Sequence, residues 1–256
     1  MSNKNEILFD IEISGEPSDD EYLKNLHFVI SEGYEPLFVS SSFELKTQKL
    51  KKISTNYELL LLKNHNILVL DWDDTLFPTS FIRKGLLSIF DIDRIKKLEN
   101  IVITLIKRLQ KLGKVYIVTN ASYIWFFYTA KIFYPRLFNK KLAIKVVSAR
   151  DHYSEFDTMF WKIFCINHLF SHLVTNTENN INLICIGDSF DEHNACDQLF
   201  KITHHGTLKK IRFRNSPTIL QLETEIENTS KILPILCPIN VNCNIEIENY
   251  KGMCFI

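Results

Sequence analysis

Three short apolar runs in this 256-residue chain each end in residues able to do chemistry. Ile67-Leu68-Val69-Leu70 leads into Asp71-Trp72-Asp73-Asp74-Thr75-Leu76, and Val115-Tyr116-Ile117-Val118 into Thr119-Asn120. Leu183-Ile184-Cys185-Ile186 leads into Gly187-Asp188, with Asp191 and Glu192 close behind. Wholly apolar runs of this length are what central parallel strands, buried on both faces, require. Ligands of open parallel sheets bind beyond the carboxyl ends of the strands. If the three runs share a sheet, two acidic ends and one hydroxyl end meet there. Carboxylates gathered in this way repel one another unless a cation joins them, and hard oxygen donors favour Mg²⁺. Each piece alone has a simpler use, since an Asp or Thr at a strand end can cap the next helix. The three ends together argue for a site.

The elements that must position these residues follow from periodicity. Apolar residues recur three and four apart from Ile95 to Leu112, predicting a helix that Gly113 ends as a C′ residue. A second helix is predicted over 122–134, a third strand over Leu142–Val147, and a helix capped by Asp157 running through Phe170. Lys210–Phe213 reads as a fifth strand, and Pro217 opens a last helix to about Glu227. Strands alternating with helices predict an α/β fold, a Rossmann-like doubly wound parallel sheet. This core spans 65–230. Residues 1–64 read as an N-terminal extension packed on it, with a strand around Ile7–Ile13. Residues 231–256 form a C-terminal tail in which Val241, Cys243, Ile245 and Ile247 alternate as in an edge strand.

Composition excludes several function classes. Thirty Lys and Arg balance thirty Asp and Glu, so no global field draws the chain to nucleic acid or to a membrane surface. No run approaches the ~20 apolar residues that span a bilayer, and the N-terminus lacks a signal-peptide pattern. The six cysteines form no C-x-x-C pair, so buried thiols in a reduced, cytoplasmic protein are expected. The seven glycines are too far apart for G-x-G-x-x-G or a phosphate loop, so phosphate chemistry needs another cradle.

Taken together, the motifs resemble those of the haloacid dehalogenase-like superfamily over about residues 66–215. Asp71-Trp72-Asp73-Asp74-Thr75 is similar to its first motif, and Thr119 after an apolar strand to its second. Gly187-Asp188-Ser189-Phe190-Asp191-Glu192 resembles the fourth, with Glu192 in place of a more usual Asp. The third motif is a single Lys. Lys162, 26 positions before Asp188, fits best, ahead of Lys145 and Arg150. The spelling Val118-Thr119-Asn120-Ala121 with Trp125 and Pro135, then Ser148-Ala149-Arg150-Asp151, resembles a branch of that superfamily found in unicellular eukaryotes.

The resemblance implies a Mg²⁺-dependent phosphohydrolase. Asp71 would be a covalent nucleophile and Asp73 a general acid and base. Asp71, the Asp73 carbonyl and Asp188 would hold Mg²⁺, while Thr119, Asn120 and Lys162 would hold phosphoryl oxygens. Asp191 and Glu192 would orient metal-bound water or Lys162 rather than bind metal directly. The intervals between motifs are short, implying a small or absent cap and an open site. The expected partner is a phosphorylated substrate, small molecule or phosphoprotein. The aromatic helix with Tyr123, Trp125, Phe126, Phe127 and Tyr128 reads mainly as core, with room for a protein partner surface. A phosphomutase and a catalytically faded scaffold protein are the competing expectations.

Overall fold

A computed structural model describes residues 10–11, 66–85, 87–139, 142, 144–174, 181–201, 206–239 and 241–247. Its strands are β1 (Asp10–Ile11), β2 (Asn66–Leu70), β3 (Lys114–Thr119), β4 (Ile144–Ser148), β5 (Ile181–Gly187), β6 (Gly206–Arg212) and β7 (Cys243–Glu246). Among the described residues the helices are α1 (Thr79–Arg83), α2 (Ile89–Leu112), α3 (Tyr123–Phe133), α4 (Ala149–Tyr153), α5 (Thr158–Val174), α6 (Phe190–Lys201) and α7 (Ile219–Leu236).

The strands form one sheet in the order β1-β4-β3-β2-β5-β6-β7. Strands β2 to β7 are all parallel, and the two-residue β1 pairs antiparallel with β4. Alternation along each strand divides the core. Leu68 and Leu70 pack with α2, α3 and α7, whereas Ile67 and Val69 pack with α5 and α6. The sheet is therefore covered on both faces, which is why β2, β3 and β5 carry the apolar runs 67–70, 115–118 and 183–186. The chain steps outward from β2 to β3 and β4, then returns to place β5 on the other side of β2. That reversal puts the crevice of a doubly wound sheet at the ends of β2 and β5.

Several expectations shift in detail. Helix α2 begins at Ile89, six residues before the strong periodicity, because Ser88 and Asp91 close a capping box. Gly113 is extended, not left-handed (φ −177°), so it is not an αL cap. A Cβ there would lie 2.4 Å from the Asn66 carbonyl oxygen, so glycine is required by the close approach of β2. The last helix is capped by Thr218 and Gln221 rather than opened by Pro217. It runs past Glu227 and past residue 230, through Pro234, because Ile232, Leu233 and Leu236 are buried against the core. The tail strand forms as β7, at the edge beside β6. Of the N-terminal extension, only Asp10 and Ile11 lie within the described residues.

At the amino ends of β2, β5 and β6, polar side chains are buried together. Asn66 Nδ2 donates to the Leu112 carbonyl (2.8 Å), and Asn182 Nδ2 donates to Asn66 Oδ1 (2.7 Å) and the Cys237 carbonyl (2.9 Å). Thr207 Oγ1 donates to Asn182 Oδ1 (2.8 Å), and Lys209 Nζ reaches both Asn182 Oδ1 and Thr207 Oγ1. Lys209 is fully buried. Desolvation pulls its pKa down to about 8, only partly offset by Cys243 and Cys237. Between about pH 8 and the unfolded value near 10.5, the unfolded chain holds the proton that the folded chain has lost. The contribution of Lys209 to stability should therefore rise with pH across that window, by up to about 3 kcal/mol in all. Below pH 8 the full cost of the buried charge is present. Urea unfolding at pH 7 to 10.5 should show this rise in the wild-type profile relative to that of Lys209→Met, because the buried thiols of Cys165, Cys185, Cys237 and Cys243, raised by burial, lower stability over the same range in both proteins. Lys209→Met should also be the more stable at pH 7. Parallel pH profiles for the two proteins would refute the assignment to Lys209.

Candidate metal and phosphoryl site at the ends of β2 and β5

The turn after β2 uses each residue of Asp71-Trp72-Asp73-Asp74-Thr75 differently. Asp71 continues the strand, its N–H donating to the Ile186 carbonyl (3.0 Å), so its side chain lies beside the end of β5. Trp72 turns into the core and stacks on Phe77 at 5.5 Å, while its carbonyl accepts from Leu76 and Phe77 N–H (2.9 Å each). Asp74 takes φ 55°, a left-handed conformation that Asp tolerates better than most residues. Its carboxylate accepts from Ser80 N–H (2.8 Å) and Ser80 Oγ, binding the turn to the start of α1. Thr75 Oγ1 donates to Asp188 Oδ1 (3.2 Å) and accepts from Asp188 N–H (3.1 Å), joining the β2 and β5 turns directly.

Lys162, from α5, enters this crevice from the other face. Its Nζ lies 2.9 Å from Asp71 Oδ1 and 2.8 Å from Glu192 Oε2, and all three side chains are buried. Carboxylate oxygens of Asp71, Asp188 and Glu192 all lie within 4.8 Å of one another, a buried group that could hold a metal ion. Glu192 is the third residue of α6 and reaches back to its start. Oε1 accepts from Ser189 N–H (2.7 Å), and Oε2 accepts from Ser189 Oγ (2.6 Å). The Glu192 carboxylate thus serves the helix start and Lys162 together. Gly187 makes the approach possible, because a Cβ there would lie 2.1 Å from Glu192 Oε1.

Electrostatics follow from three carboxylates facing one ammonium in a buried space. Burial raises Asp71 well above the usual carboxylate range; Lys162 opposes this, while Glu192, Asp188 and Asp73 add to it. Asp188 is pushed up to about 7, first by burial and then by Glu192. For Glu192 burial acts upward but is outweighed, chiefly by Lys162, and its carboxyl stays below its ordinary value. Lys162 is held protonated despite burial, because Asp71 and Glu192 both favour its charge. The donor set is hard oxygen, and its charge exceeds what one Lys can offset, so the chemistry fits a divalent cation.

The remaining candidates are placed as follows. Thr119 ends β3, fully buried, with Oγ1 accepting from Ala121 N–H (3.0 Å) and its own hydroxyl proton left to donate. Asn120 Nδ2 donates to Asp191 Oδ2 (3.1 Å), while its Oδ1 is buried without a hydrogen-bond partner among the described residues. Asp191 thus faces Asn120, and its carboxyl is raised by burial. Lys145 lies in β4, and its ammonium sits over the Tyr116 ring rather than in the crevice. Asp73 is half-buried, and its Oδ1 accepts from Thr79 Oγ1 and from Trp125 Nε1 (3.0 Å). Thr75 was read only as part of the first motif, and Thr79, Trp125 and Ser189 were not anticipated as site residues. Among the last three, the Ser189-x-x-Glu192 capping pattern was the one signal that could have revealed a site residue.

Comparison with known protein families, with curated proteins and with solved structures returned no match. No described helix is long and apolar enough to cross a membrane.

Proposed function

We propose that the chain is a phosphohydrolase related to the haloacid dehalogenase-like superfamily, acting through a phosphoryl group carried on Asp71. The observation that carries this reading is the Asp71–Lys162–Glu192–Asp188 cluster at the topological switch point, with Asp73 fixed two residues along the same turn. A carboxylate that attacks phosphorus splits one difficult displacement into two easier ones. In the first, an Asp71 oxygen bonds to phosphorus as the ester oxygen leaves, taking a proton from Asp73. In the second, Asp73 takes a proton from water as the water oxygen attacks phosphorus, and the bond to Asp71 breaks to release phosphate. Lys162, the Thr119 hydroxyl and Asn120 hold phosphoryl oxygens.

Asp71, Asp188 and the Asp73 main-chain carbonyl are the residues that would hold Mg²⁺. Both Glu192 oxygens are already engaged by Ser189 and Lys162, so Glu192 serves better as the partner that orients Lys162. When bound, Mg²⁺ supplies compensation for phosphoryl charge. No additional domain stands between β2 and β3 or between β3 and β4 among the described residues. A crevice without such a domain suits a phosphoprotein as well as a small phosphoester.

The test is a screen of purified protein against p-nitrophenyl phosphate, phosphorylated metabolites and phosphopeptides, with Mg²⁺ and with EDTA. Turnover should appear with Mg²⁺ and vanish with EDTA. Asp188→Asn should need about tenfold more Mg²⁺, or beyond, for half-maximal rate, since it removes one ligand charge. Full activity in the chelated wild type, or no turnover of any phosphoester, would overturn the proposal.

A further inference from the structure

Helix α3 grips the turn after β2 at three points along its length. Trp125 Nε1 donates to Asp73 Oδ1 (3.0 Å), Trp72 Nε1 donates to Thr129 Oγ1 (3.2 Å), and just past the helix Tyr134 OH donates to the Leu76 carbonyl (3.0 Å). The last two contacts are buried, one holding the Trp72 indole and the other the Leu76 carbonyl. The first differs in kind, because it falls on a carboxylate at the mouth of the site.

Resting on the phosphohydrolase reading, we infer that Trp125 is a positioning residue for the general acid and base Asp73. Trp125 and Thr79 both donate to the same oxygen, Oδ1. Two donors arriving from different helices, α3 and α1, fix the plane of the carboxylate, and they leave Oδ2 as the oxygen able to exchange a proton with the leaving group. The indole is itself held. The guanidinium of exposed Arg83 lies 5.0 Å from its ring centroid, and the helix turn carrying it is capped by Ser122, whose Oγ accepts from Trp125 N–H (3.2 Å). An acid so restrained loses little freedom when substrate arrives, and a small misplacement of a reacting group is costly in rate. The aromatic character of α3 is thus only partly core packing.

The contact can be read without activity. The chain has three tryptophans, so the three indole N–H signals of a ¹⁵N-labelled sample can be separated, with Trp125→Phe identifying one. In Asp73→Asn that signal should move toward the position of a free indole, because a bond to a carboxylate becomes a weaker bond to an amide. A signal that does not move overturns the contact.

The role is read from leaving-group dependence. Phenol is a poor leaving group that needs a proton, whereas p-nitrophenol needs little help. In Trp125→Phe, kcat/KM for phenyl phosphate relative to p-nitrophenyl phosphate should fall about tenfold or more. Thr79→Val should move the same ratio in the same direction, which covers the case in which Trp125→Phe does not fold. A uniform fall on both substrates in an active, folded variant overturns the positioning role and leaves the phosphohydrolase reading intact. A wild type inactive on both substrates overturns both.

Discussion

Asp71→Asn is expected to abolish turnover while the fold stands, and Asp73→Asn to stop the reaction half-way. The amide of Asn cannot form an acyl-phosphate, so the first variant has no covalent step. Its fold should survive, because the change removes one of three crowded carboxylates and leaves Lys162 paired with Glu192 at 2.8 Å. Asp73→Asn should bind metal and substrate nearly as before, since the proposed metal contact at residue 73 is its main-chain carbonyl. Its rate should fall about 10²–10⁴-fold, the usual worth of general acid–base catalysis. With p-nitrophenyl phosphate the first step needs little protonation, so it should partly recover. The second step still needs a base, so phosphoenzyme should accumulate. Labelled phosphate trapped in Asp73→Asn and mapped to Asp71 would establish the sequence of steps. Label that never reaches Asp71 would instead favour direct attack by water.

Lys162→Met is expected to have the largest effect on stability. Removing one partner of a buried ion pair leaves uncompensated charge and costs about 3–5 kcal/mol. Here the ammonium serves two carboxylates, Asp71 and Glu192, each within 2.9 Å. Chemical denaturation without metal should show the loss. Added Mg²⁺ should recover part of it, because a cation at the proposed Asp71–Asp188 site would replace the missing compensation. Turnover should also fall about 10²–10³-fold, the scale of losing one preorganised donor to developing charge. A variant as stable as the wild type in EDTA would show that the ion pair is not what holds the crevice together.

The sheet was legible because its three central strands are buried on both faces, which leaves a run of apolar residues and no other reading of comparable economy. The ends of those strands were legible for the same reason, since the first polar residue after each run lies at the mouth of the sheet. Lys162 was harder to find, because it sits on a helix and meets Asp71 only through α5 packing; a motif spacing located it, not periodicity. Trp125 and Thr79 were not legible as site residues, because a hydrogen bond reaching across from another helix depends on side-chain direction rather than on pattern. Gly113 was read as a cap because spacing along one helix cannot reveal β2 passing behind it. Helix α7 runs beyond the expected end near Glu227 because burial of Ile232, Leu233 and Leu236 carries it on, through Pro234.

The buried Asn66–Asn182–Thr207 row bears on the site although it lies at the opposite end of the sheet. These residues are register partners across β2, β5 and β6, and their hydrogen bonds close only in one alignment. Apolar strands covered on both faces have little else to tell one alignment from the next, since a shifted leucine or isoleucine still finds apolar surroundings. A slip of one residue between β2 and β5 would carry Asp188 about 3.3 Å along the strand and turn its side chain to the other face. The polar row works like the notch on a key. It ranks the alignments at one edge of the sheet, and the rigid strands carry that choice to the far edge, where Asp71 and Asp188 must meet.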